Sequence, residues 1–181
     1  MQKTSSVIIR KSKAEAKKLL ETYNPSELTR FARYPERCVL GNAPTLAMVS
    51  RDYGEQVAVD WLRIELDNYQ DSVGVKEDNK ADMLLMKETA QEIMHRYYFL
   101  KLSELMLFFN HLRFGDYGKV YGCVDVSFIV QSLRLFMDER TVILDRERQR
   151  QEEQQREEDK KKAISKEEYL RMKKGRAKKC I

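Results

Sequence analysis

Eighteen consecutive residues, 145–162, contain no apolar side chain. A stretch of that composition cannot enter a hydrophobic core, so it stays solvated wherever it lies. Nothing interrupts a helix there, because neither proline nor glycine occurs between Gly122 and Gly175. Opposite charges recur at four-residue spacing, as in Arg148 with Glu152, Glu157 with Lys161, Glu158 with Lys162 and Glu167 with Arg171. Each such pair adds ~0.2–0.5 kcal/mol to a helix. There is no heptad seam for a coiled coil. The expectation is a single charged helix that protrudes from the folded part, ~27 Å long over 145–162 at ~1.5 Å per residue.

The charge balance divides the chain at nearly the same place. Of 34 Lys/Arg and 29 Asp/Glu, the final nineteen residues hold seven basic groups and two acidic ones. Residues 1–162 therefore carry 27 of each sign, and the whole net charge of +5 resides in 163–181. Three regions are expected: a basic segment over 1–23, a helical bundle over 24–144, and a charged helical extension with a basic tip over 145–181.

Few glycines and prolines, seven and three, favour helices over a turn-rich β design. Helical starts and stripes follow in order. Residues 13–23 form a short helix. Asn24-Pro25-Ser26-Glu27 has the residues of a capping box with proline in the first turn. Asn42-Ala43-Pro44 opens a helix through Leu46, Val49 and Tyr53. Gly54 separates it from a longer one over 55–69, whose stripe includes Val57, Val59, Trp61, Leu62, Ile64 and Leu66. Asn79 is placed to cap a helix with Met83, Met86, Ala90, Ile93, Met94, Tyr97 and Leu100 inward. Ser103 is placed to cap the next, with Leu105, Phe108, Phe109 and Leu112 inward. Asp125 caps the last, whose core positions are Val126, Ile129, Val130, Leu133, Phe136 and Met137. The fold class is all-α.

Catalysis leaves little trace. His95 and His111 are the only histidines, and neither has a Cys or carboxylate at metal-ligand spacing. There is no P-loop, GxSxG, HExxH or cysteine pair for zinc. The expectation is a non-enzyme without cofactor or metal. Cys38, Cys123 and Cys180 are too scattered for a disulfide framework, which suits a reducing, cytoplasmic setting. No apolar run approaches the ~20 residues that span a bilayer, so no membrane contact is expected.

Two segments are candidates for binding. In GDYGKVYG, residues 115–122, three glycines and two tyrosines make either a structural connection or a partner surface of Tyr117, Lys119 and Tyr121, which could also stack on bases. At the C-terminal tip, Arg171, Lys173, Lys174, Arg176, Lys178 and Lys179 either neutralise nucleic-acid phosphates or merely solubilise the chain.

The run from Leu102 to Arg140 resembles an uncharacterised family of small helical proteins from phages and mobile elements of gut bacteria. The residues that carry it are Phe108-Phe109, Arg113-Phe114-Gly115, Tyr117-Gly118, Tyr121-Gly122, Asp125 and Glu139-Arg140, with Pro44-Thr45-Leu46 and Trp61-Leu62 upstream. The resemblance implies no activity. Its genetic setting implies a role near DNA replication or transfer, and the two-part layout is similar to that of small phage helicase loaders. The resulting expectation is an accessory or adaptor protein in DNA metabolism with a protein partner and a nucleic-acid contact. The alternative is a scaffolding protein that self-associates through its charged helix.

Overall fold

Several helices begin where a short polar side chain accepts one of the first free backbone amides. The computed structural model describes residues 12–120, 122–163 and 169. Ser12 and Glu15 form a reciprocal capping box at the start of α1, Lys13–Thr22. Asn24 accepts the Ser26 amide and opens a 3-10 turn, Pro25–Glu27, that leads into α2, Leu28–Ala32. The expected capping box at Asn24 is not made, because the Glu27 carboxylate pairs with Arg30 instead. Pro35 then starts α3, Pro35–Leu40.

α4, Leu46–Tyr53, is capped by Thr45, whose hydroxyl accepts the Met48 amide. The expected start at Asn42 lies three residues too early. Pro44 and Thr45 are held by another segment: Leu46 N–H donates to Leu100 O, and Leu102 N–H donates to Pro44 O. This bridge binds the entry of α4 to the segment around Lys101. It also explains why Tyr97 and Leu100 leave the preceding helix. α6, Met83–Arg96, stops at Tyr97, and Leu100 is buried from the connecting segment. Asp82, not Asn79, precedes α6, and Met83 is 70 % exposed, where the periodicity predicts core.

Gly54, at φ 105°, turns the chain from α4 into α5, Glu55–Ser72. Trp61, Leu62, Leu66 and Tyr69 of α5 are buried, while Ile64 is turned outward. The Trp61 indole N–H donates to the Tyr23 carbonyl at 2.7 Å, which fastens the end of α1 to the bundle.

α7, Leu102–Phe114, is the central element. Its apolar residues from Leu102 to Phe109 and Leu112 are all buried, as expected for a helix covered on every side. α2, α3 and α5 pack against it. Ser103 does not cap it; the hydroxyl donates to the Cys38 carbonyl at 2.7 Å and ties α7 to α3. Gly115, at φ 82°, ends α7 in the left-handed region, and the Asp116 amide returns to the His111 carbonyl. A side chain at Gly115 would be strained there.

Asp125 accepts the Ser127 amide and opens α8, Val126–Lys162, as the sequence predicts. Ile129, Leu133 and Phe136 are buried, with Phe136 edge-on to Phe108 at 5.7 Å. The chain divides into two compact units, Met1–Thr141 and Val142–Ile181. In the second, α8 continues through the apolar-free stretch on local pairs such as Arg150 with Glu147 and Lys162 with Glu158. Of the pairs expected from the sequence, Glu158 with Lys162 forms, whereas Arg148 turns to Asp145 and Glu152 to Arg156. Glu167 and Arg171 lie outside the described residues. The fold is an all-α helical bundle.

Candidate functional sites

The glycine-rich turn brings one of its predicted residues into a polar cluster. Tyr117 lies against Phe108, with ring centroids 5.9 Å apart and the planes nearly parallel. Its hydroxyl donates to Glu139 Oε2 at 3.2 Å, and His111 Nδ1 is 3.2 Å from both that oxygen and the Tyr117 oxygen. Asp116 approaches the same imidazole at 3.9 Å. Burial, then the neighbouring Glu139 charge, pushes the Tyr117 phenol well above its ordinary range. It therefore remains a neutral donor. Lys119 is exposed, and Tyr121 lies outside the described residues. The structure thus gathers Tyr117 with His111 and Glu139 and does not bring Lys119 into the cluster. Glu139 is 28 positions from His111, so no local motif could reveal this trio.

At the next position of α8, Arg140 Nε donates to Glu104 Oε1 at 2.7 Å. Glu104 is fully buried, and its other oxygen accepts the Lys101 amide at 2.7 Å. Both carboxylate oxygens are thereby occupied, and Arg140 also covers the Phe99 ring. This is a satisfied buried ion pair that fixes the first part of α8 on α7. Glu65, on α5, is the opposite case. It is fully buried, neither carboxylate oxygen has a hydrogen-bond partner, and burial raises its pKa to about 8.

The sequence reading missed a cavity of about 740 Å³ bordered by the end of α1, by α2 and α3, and by Ser103 of α7. Arg30, Arg33 and Arg37 line it, and no lining residue is a carboxylate or a histidine. The spacing is i, i+3, i+7, which a helical wheel would place on one face. That pattern was readable, although Pro35 breaks the helix between Arg33 and Arg37. Arg37 lies over the Tyr34 ring at 4.7 Å, and Tyr23 stacks on Phe31 at 5.4 Å. The Cys38 thiol donates to the Phe31 carbonyl at 3.2 Å, and burial pushes it up to about 11. It is therefore protonated at neutral pH and unsuited to attack as a thiolate.

The predicted tip residues Arg171, Lys173, Lys174, Arg176, Lys178 and Lys179 lie outside the described residues. Among those described, no His, Cys, Asp and Glu side chains converge as a metal site. No helix there is long and apolar enough to cross a membrane.

A family of unknown function, DUF6633, matches residues 80–180, more than half of the chain. The chain belongs to this family. The DUF6633 match begins just before α6 and includes α7, α8, the His111–Tyr117–Glu139 cluster and the basic tip. It leaves out the arginine-lined cavity, which is built mostly from residues 22–43. No curated protein and no solved structure matches the chain.

Proposed function

We propose that this protein is a non-enzymatic accessory factor in the replication or transfer of DNA by a phage or other mobile element, working in the cytoplasm. Its helical body would hold a protein partner, and Arg171, Lys173, Lys174, Arg176, Lys178 and Lys179 would approach nucleic acid. The observation that carries this reading is the charge partition: 27 basic and 27 acidic residues over 1–162, against seven and two over 163–181. An even-handed body has little general attraction for a polyanion, whereas a clustered cationic end gains affinity by releasing counterions. The exposed Met83, Leu84 and Leu85 at the start of α6 give the body an apolar surface for a protein contact.

Self-association through the charged helix has less support. Its ion pairs close within the helix, and residues 145–162 offer no apolar seam to a second copy.

Fluorescence anisotropy with single- and double-stranded DNA tests the proposal. Neutralising about six phosphates predicts roughly a thousandfold weaker binding to duplex at 200 mM than at 50 mM salt. Changing Lys173, Lys174, Arg176, Lys178 and Lys179 together to Gln should remove most of both the affinity and the salt slope. Affinity indifferent to salt and to those substitutions would sink the reading.

A further inference from the structure

The cavity beside α2 and α3 has a size and lining that the basic terminus does not explain. Its volume of about 740 Å³ falls within the ~300–1,000 Å³ of small-molecule sites. Three guanidinium groups border it without a carboxylate in the lining. Arg30 has an outside partner, Glu27, at 3.5 Å, but that pair is exposed and weak. Arg37 rests on the Tyr34 ring, and Arg33 has no ion-pair partner among the described residues. All three arginines are exposed, so an anion entering the cavity meets cationic side chains with no carboxylate in the lining to compete for them.

The chemistry of the lining narrows the anion. Guanidinium forks match the oxygens of a phosphate and can donate to two of them at once. Phe31 and Tyr34 line the same cavity, and Tyr34 is 50 % exposed. A flat heterocycle gains affinity by stacking on an exposed aromatic ring. The lining contains no imidazole or carboxylate for proton transfer, and its one thiol is occupied by the Phe31 carbonyl. These residues suit retention of a ligand rather than its conversion.

We propose that the cavity binds a nucleoside 5′-monophosphate unit, with Arg33 and Arg37 on the phosphate and the base against Phe31 and Tyr34. The unit could be a free mononucleotide or the 5′-phosphorylated end of a single strand. The site stands apart from the basic terminus, and either could fail without the other.

Isothermal titration of the full chain at about 150 mM salt tests this with dAMP, deoxyadenosine, inorganic phosphate, and a short oligodeoxyadenylate with and without its 5′-phosphate. Either dAMP or the phosphorylated strand should bind at least about tenfold more tightly than its unphosphorylated counterpart, a difference of ~1.4 kcal/mol. A preference confined to dAMP identifies the free nucleotide as the source; tighter binding of the phosphorylated strand identifies the strand end. Arg33→Gln with Arg37→Gln should abolish that preference. Both side chains are exposed, so the circular-dichroism melt should be retained. If the double variant does not fold, Arg33→Gln alone serves, with a loss of about tenfold expected. Neutralising the basic terminus should leave dAMP binding unchanged. Equal binding of phosphorylated and unphosphorylated ligands, inorganic phosphate binding as tightly as dAMP, unaltered binding by the arginine variants, or no binding at millimolar ligand would each overturn the proposal.

Discussion

The first and second halves of α8 are one continuous helix held by different physics. Between Val126 and Thr141 the helix buries Ile129, Leu133 and Phe136 and anchors Arg140 on a buried carboxylate. Between residues 145 and 162 every side chain is polar, and the ordered contacts are ion pairs and hydrogen bonds from glutamine amides to carboxylates three or four positions apart. The first half depends on residues far away in sequence, whereas the second depends only on itself. Burial of one large side chain outweighs several exposed ion pairs, so a fault in the first half should spread through the bundle. A fault in the second should stay local.

The sharpest way to break that comparison is Phe136→Ala. The ring is buried edge-on to Phe108, and its removal should cost ~3–5 kcal/mol of global stability. Urea unfolding would show it, and a loss below about 1 kcal/mol would mean that the bundle does not rely on this half of α8.

Glu65 tests the same dependence on burial through pH. Its folded pKa is raised from the ordinary carboxylate range to about 8, so the folded state holds a proton that the unfolded state gives up. Its burden on stability is absent below about pH 4, grows as pH rises, and is complete once pH passes about 8. Glu65→Leu should therefore stabilise the protein by on the order of 5 kcal/mol at pH 9 relative to its effect at pH 4. Denaturation at the two pH values measures this, and parallel profiles for the two proteins would contradict the buried, unpartnered carboxylate.

The smallest effect is expected in the charged half. Gln154→Gly should weaken that helix by ~1 kcal/mol. Amide exchange over residues 150–158 should accelerate while the unfolding midpoint of the bundle hardly moves. A shift comparable with that of Phe136→Ala would show that the charged stretch is not self-supporting.

Much of the fold was legible because its signals are local. The stripe Leu105, Phe108, Phe109 and Leu112 marked α7, Asp125 marked the start of α8, and Gly54 and Gly115 marked their turns. Several caps were misplaced. Asn79 falls in a 3-10 turn, Glu77–Asn79, ahead of α6. Asn42 and Ser103 are suitable caps, overridden where long-range hydrogen bonds hold the starts of α4 and α7. Leu100 with Leu46 and Ser103 with Cys38 are the instructive cases, since those partners are dozens of positions apart.

The candidate sites divide in the same way. The basic terminus is visible by counting charges, and the arginine triplet could have been found by its spacing. The meeting of His111 with Glu139 and the lone burial of Glu65 could not.

From its order of residues alone, this protein is a helical chain with an even-charged body and a cationic end, because helix periodicity, capping and net charge are properties of neighbours. Which polar groups are buried, which find partners and which line a cavity were decided only by packing. A side chain's solvent and its hydrogen-bond partners are set by the segments folded against it, and those come from elsewhere in the chain.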